Sequence, residues 1–346
     1  MHLLQLSSNG DLSLTRDLTD VSQYPYAILS HTWGNDEDEV TFEDIGTDIM
    51  KAKAGYRKIQ FCGERARHDG LHFFWVDTCC IKKSDNNELS TAINSMFRWY
   101  QNAKKCYVYL SDVSAFHEDD KTARMAEDVT NSLRASRWFT RGWTLQELIA
   151  PDSVQFFSSD ESLLGDKTSR LQTLWEITKI PARGLLGSNL SEFTVAEIMS
   201  WAYDRQTKLE EDKVYCLTGL FEVYLPLIYG EGLSNARERF QFELQRRLLR
   251  QPQAVAEQPL LKPPNARSLT NHPVRGNYRR VHVTLVYWEV DKVEDLASHL
   301  GVSTGMAIFC ARHPESLLRR LGHSRLSFGW ALRRRKFKHL IFSWWA

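Results

Sequence analysis

The amino-acid sequence predicts an α/β fold: a parallel sheet with helices on both faces, followed by a helical extension and a small C-terminal segment. Three observations carry that prediction. Short, strongly apolar runs at Tyr26–Ser30, Phe73–Val76 and Lys105–Leu110 alternate with stretches whose apolar residues recur at helical spacing. The runs are too apolar to leave either face in water, as expected of strands buried between two helical layers. Polar residues gather where the runs end: Ser30, His31, Trp33 and Gly34; Asp77 and Cys79; Ser111 and Asp112. Ligands of such sheets bind beyond the carboxyl ends of the strands, so this rim is the expected site.

In chain order, two short apolar runs between Leu3 and Leu14, broken by Ser7-Ser-Asn-Gly-Asp11, predict a hairpin covering a sheet edge within residues 1–23. The first strand of a domain over residues 24–160 follows at Tyr26 and opens into the acidic loop Asn35–Glu39. Lys51–Asp69, with Ile59, Cys62 and Ala66 on one face and Gly70 after it, predicts a helix. Asp85 and Glu88 form a capping-box pattern before a helix with Leu89, Ile93, Met96, Phe97 and Tyr100 along one stripe. Ser114–Leu133 is polar and reads as an insertion or helix. Val154–Phe157 is a further strand. Residues 161–250 carry helical patterns at Leu171–Ile177, Val195–Arg205 and Asp212–Val223, separated by Pro181, Gly184 and Gly187. Residues 251–280 hold five of the ten prolines and read as a linker. Residues 281–346 predict a strand over Val281–Val290, a helix near Leu296 and a frayed basic, aromatic tail.

At 346 residues the chain has room for roughly two domains. Lys and Arg (44) balance Asp and Glu (43), which argues against a nucleic-acid partner. The six cysteines form neither a disulfide framework nor paired zinc spacing, and fit a reducing compartment. No apolar run reaches the ~18 residues of a membrane span, nor is there a signal peptide, and a cytoplasmic location follows as the expectation. Membrane contact is confined to a weak expectation for Arg333–Lys338 with Phe342, Trp344 and Trp345.

Chemistry concentrates in SRWFTRGWTLQELIAP, Ser136–Pro151. On a helix ended by Pro151, Trp143 and Glu147 lie four residues apart and share a face. A lone helical glutamate is ordinarily a solvated residue, and tryptophans ordinarily pack. Here both belong to a segment that follows the strand ending at Ser111. With Ser30, Trp33 and Asp77 on the neighbouring loops, they read as walls of one cleft.

Three blocks, YAILSHTWG (26–34), FFWVDTCCIKKSDNNELSTAINSMFRWYQNAKKCYVYLSDV (73–113) and the Ser136–Pro151 segment, resemble those of the fungal heterokaryon-incompatibility (HET) domain. MSWAYDRQTKLEEDKVYCLTGLFEVYLPLIYGEG (199–232) resembles the segment that commonly follows it. This resemblance implies an effector of non-self recognition and regulated cell death, with homo-oligomers on activation and a receptor-type protein partner. More distantly, WTLQEL (143–148) and the first strand and loop resemble Toll/interleukin-receptor (TIR) domains, implying a flavodoxin-like sheet and NAD cleavage with Glu147 as the catalytic carboxylate. Thr144 stands where the TIR block usually has cysteine. On that reading NAD is substrate, no cofactor or metal is required, and Ser30, His31, Trp33, Gly34, Asp77, Asp112, Arg141 and Trp143 bind it. The tryptophans would stack on rings, and Arg137 or Arg141 would meet the pyrophosphate. Two other readings stand beside it: a non-enzymatic module that assembles with copies of itself, and an acyl hydrolase using His31 with Cys79 or Cys80. VHVTLVYWE (281–289) faintly resembles the first strand of caspase-like domains, implying a truncated, inactive remnant.

Overall fold

Tyr26–His31 (β3) is buried along its whole length and lies in the middle of a seven-stranded sheet. The computed structural model describes residues 1–115 and 123–250, together with the strands Arg280–Val283, Ser327–Gly329 and Ile341–Trp345. Met1–Ala256 forms one compact unit and Glu257–Ala346 another.

In the first unit β3 pairs in parallel with β4 (Phe73–Trp75) on one side and β5 (Lys105–Leu110) on the other, and β5 pairs in parallel with β6 (Val154–Ser158). The flanks run the other way. β1 (Leu4–Leu6) and β2 (Leu12–Leu14) form the expected hairpin, and β1 covers the β4 edge antiparallel, with Leu4 opposite Phe74. Beyond β6 lies β7 (Leu163–Asp166), also antiparallel. The sheet is therefore mixed rather than wholly parallel, and residues 161–250 begin with a strand, not a helix. The cause is local: Ser158 to Ser162 make a tight reversal with Glu161 at φ 68°, and a hairpin needs no crossover helix.

Helices cover both faces. Tyr107, Tyr109 and Phe157 alternate toward α2 (Tyr56–His68): the Phe61 ring meets Tyr109 at 5.4 Å and Phe157 at 5.0 Å, and the Tyr107 hydroxyl donates to Asp69 at 2.8 Å. Ser30, Cys106 and Phe156 point the other way, toward the 3₁₀ turn Arg137–Thr140 and α5 (Thr144–Ile149), with α3 (Asn86–Asn102) beside it.

The helix predicted over Lys51–Asp69 is split into α1 (Ile49–Ala52) and α2 by an extended Lys53. Gly55 packs there against the Asp38 carbonyl, where a Cβ would come within 2.7 Å. Gly70, at φ 76°, ends α2 as expected, with Leu71 N–H reaching back to the Ala66 carbonyl. At α3, Asp85 caps the amides of Asn87 and Glu88, but Glu88 accepts from Lys82 N–H instead of closing a reciprocal box. The Asp85 N–H that a reciprocal box would use donates instead to the Lys82 carbonyl at 3.0 Å.

Ala123–Ala135 (α4) occupies part of the predicted insertion; residues 116–122 lie outside the described residues. The extension continues as α6 (Leu171–Thr178), α7 (Ala182–Leu185), α8 (Val195–Ser200), α9 (Asp212–Thr218) and α10 (Gly232–Arg250). In the second unit, Arg280–Val283 and Ser327–Gly329 flank Ile341–Trp345 in a three-stranded antiparallel sheet, so the tail expected to fray is in part a strand. Of the expected linker only Arg280 is described, and of the stretch read as a caspase-like remnant only Val281–Val283; the helix near Leu296 lies outside the described residues.

Candidate functional site

At the carboxyl ends of β3 and β4, a cavity of about 660 Å³ opens between the strand loops and the helical extension. This size lies within the range of small-molecule and cofactor sites. Its floor is apolar, with Ile81, Leu89, Ile93 and Met96; its rim carries Trp33, Trp143 and Tyr229.

Glu147 projects into this cavity from α5 and is 5% exposed. The Ser30 hydroxyl donates to its Oε2, and the Trp138 indole Nε1–H donates to Ser30 Oγ at 2.8 Å. An indole N–H is donor only. It therefore occupies an acceptor position of Ser30 and leaves that hydroxyl's proton for Glu147. Burial pushes the Glu147 pKa up to about 8, the nearby Asp77 charge adds to the rise, and the Ser30 hydrogen bond opposes it.

Asp77 is the counterpart. Burial alone would raise its pKa, but His31 and Lys83, with the Trp33 hydrogen bond, hold it well below the usual carboxylate range. His31 Nε2 meets Oδ1 at 2.8 Å and Trp33 Nε1–H donates to Oδ2 at 2.8 Å. Two carboxyl groups thus share a cavity in different states at neutral pH, one ionised and one protonated. A third, Asp212 on α9, accepts from the Tyr229 hydroxyl at 3.0 Å and is also bonded by Trp143; burial raises its pKa.

The wall is held by close contacts between motif and extension. Gly142 N–H donates to the Gln206 carbonyl at 2.8 Å, and a Cβ on Gly142 would lie 2.6 Å from Thr207 Cγ2. Buried Arg205 donates to the Arg141 carbonyl at 2.8 Å and to Thr144 Oγ1 at 2.9 Å; burial lowers its pKa to about 10. Lys167, whose pKa burial lowers to about 8, donates to the Pro151 carbonyl at 2.7 Å just beyond α5.

Of the residues expected in the site, Glu147, His31, Trp33, Gly34, Asp77, Arg141 and Trp143 line the cavity. Ser30 is wholly buried behind Glu147. Asp112 is elsewhere: its carboxylate accepts from Ser136 Oγ and Arg137 N–H, both at 2.8 Å, and so caps the 3₁₀ turn, while Arg137 points outward beside it. The chain returns through α4 to bring Ser136 and the Arg137 amide to this strand-end carboxylate, which therefore holds the start of that turn rather than facing the cavity. Cys79 and Cys80 are buried outside the cavity lining, and His31 is engaged by Asp77, so the structure does not assemble a Cys/His pair in the cavity. Among the described residues no cluster of metal-ligating side chains occurs, and none of the helices is long and apolar enough to cross a membrane.

Sequence reasoning passed over Lys83, Lys208, Asp212 and Tyr229, all of which line the cavity. The latter three lie beyond residue 205, where helical periodicity drew attention to packing; the signal was the polar and aromatic content of YDRQTKLEED and LIYGEG.

Residues 26–128 match the family model described as heterokaryon incompatibility protein (HET). Over 239 residues the chain is 51% identical to the vegetative incompatibility protein HET-E-1 of Podospora anserina, a match that takes in 69% of this chain and 17% of that protein. The chain thus spans 17% of the length of this relative. No solved structure matches it. Together, the family match over residues 26–128 and the relative support a heterokaryon-incompatibility (HET) domain in this chain.

Proposed function

We propose that this chain is an effector of fungal non-self recognition and regulated cell death that hydrolyses NAD at the nicotinamide–ribose bond. The relative's name supplies the incompatibility role. The observation that carries the chemistry is a buried, hydrogen-bonded Glu147 in a cavity with aromatic walls and an apolar floor. The parallel strands taken alone run second, first, third, fourth, the order that begins the flavodoxin-like arrangement, and this supports the TIR-like reading of fold and site.

In the proposed reaction the bond from C1′ to the pyridinium nitrogen breaks, and its electron pair leaves with neutral nicotinamide. No general acid is needed for that departure. Glu147, in its ionised form, accepts hydrogen bonds from the ribose hydroxyls and stabilises positive charge developing at C1′. Water then attacks C1′, and its proton is released to solvent. The cationic nicotinamide ring itself favours ionisation of Glu147 on binding. Trp33 and Trp143 are placed to stack on the rings, and Arg141 to meet the diphosphate. Homo-association on activation and a receptor-type partner complete the reading.

The test is nicotinamide release from NAD by the purified full chain. Wild type is expected to turn over and Glu147→Gln to lose at least ~100-fold, the scale of removing one electrostatic stabiliser. Absence of release from wild type, including when self-associated, would point to the non-enzymatic assembly instead. Undiminished release by the variant removes Glu147 from the chemistry.

A further inference from the structure

Three cationic side chains line the cavity: Lys83, Arg141 and Lys208. Lys208 Nζ reaches Asp36 at 2.8 and 2.6 Å, an ion pair that bridges the loop after β3 and the loop before α9. Both partners are largely exposed, at 64% and 70%. Lys83 lies with its ammonium 3.8 Å from the centre of the Trp33 ring, and its charge also acts on Asp36. The Arg141 guanidinium makes no hydrogen bond or ion pair among the described residues, although Glu147 and Asp212 feel its charge. The other lining carboxyl groups are committed: Asp77 to His31 and Trp33, Asp212 to Tyr229, and Glu147 to Ser30. Asp36 is the exposed anion beside Lys208 and within reach of the Lys83 charge.

We propose that Lys208, Lys83 and Arg141 form a diphosphate subsite in which the Asp36 carboxylate is the resident counter-ion, exchanged for the diphosphate of an incoming nucleotide. The inference rests on the nucleotide reading above. Its physical basis is that an exposed ion pair is weakly held in water, whereas a diphosphate diester brings two negative charges and several acceptor oxygens to the same cations. Asp36 keeps the lysine oriented while the cavity is empty, and competes with the ligand when it arrives. The substrate class is accordingly a nucleoside diphosphate ester; a nucleoside without phosphate would leave the cations on Asp36.

Binding of ADP-ribose to the full chain, measured by calorimetry at low salt, decides the matter. Relative to wild type, Asp36→Asn is expected to bind about fivefold tighter and Lys208→Gln about tenfold weaker, with adenosine affinity unchanged in both. Inorganic pyrophosphate should compete with ADP-ribose. Affinity unchanged or weakened in Asp36→Asn overturns the proposal and leaves the ion pair as a surface strap. So does an equal change in adenosine affinity, or no binding of ADP-ribose and pyrophosphate by any form. NAD turnover followed on the same variants separates the two readings. ADP-ribose binding as expected without nicotinamide release removes the hydrolase and leaves the subsite standing. Turnover with no Asp36 effect does the reverse.

Discussion

At the scale of single residues, the site turns on the protonation of Glu147. Its ordinary value of 4.5 is raised to about 8 in the fold, so the folded state holds a proton that the unfolded chain releases between those values. Its contribution to stability is therefore lost as pH rises from about 4.5 to about 8 and is constant above. At about 1.4 kcal/mol per unit, the total is a few kcal/mol. Glu147→Gln removes the dependence: its melting temperature should gain on wild type steadily between pH 5 and 8, read by differential scanning fluorimetry. A gap that does not change with pH would mean that the carboxyl is already ionised in the fold. The proposed hydrolysis needs the opposite state, so on that reading kcat/KM for NAD should rise about tenfold per pH unit below 8 and level off above. Ser30→Ala deletes the hydrogen bond that favours the carboxylate, and the rising limb should move to higher pH. An unmoved limb would assign Ser30 to packing alone. Glu147 itself was legible in the sequence because a carboxylate and a tryptophan recur four apart beside Pro151. Its pKa was not, because burial is a property of the fold and the groups that act on the carboxyl, Asp77, Ser30, Arg141 and Tyr100, come from separate parts of the chain.

At the scale of elements, the decisive contact is between the Ser136–Pro151 segment and the loop before α9. An added Cβ on Gly142 would lie 2.6 Å from Thr207 Cγ2 and 3.1 Å from Cys216 Sγ, so these short side chains would have to shift. Gly142→Ala should cost about 1–3 kcal/mol by overpacking, measured by urea unfolding, and should loosen the wall that carries Arg141 and Trp143. A neutral result would show that the extension yields at this point. β3, β5 and α5 were readable because their apolar runs are long and their ends are punctuated. β7 was not, since Leu163–Asp166 has only four residues and its exposed Leu163 carries no strand signal apart from its partner. Asp112 was misplaced for a related reason: a strand-end aspartate looks the same in sequence whether it faces a ligand or holds the start of a turn far along the chain.

At the scale of the molecule, the region matched by the family model ends at residue 128, before β6, Glu147 and the α9 wall. Cutting there would strip β5 of its parallel neighbour and open the cavity along one side. Residues 1–256, by contrast, form one compact unit and should melt as a single cooperative transition by circular dichroism, whereas residues 1–128 should not. A sharp transition in the shorter fragment would show that the sheet closes without β6. The outer strands of the sheet, β2 and β7, are three and four residues long. A second copy joining either edge would gain only a few ladder hydrogen bonds, and brevity of this kind is one way natural sheets avoid joining end to end. On the proposed reading, association of copies is thereby directed away from strand addition at these edges and onto the helical surface.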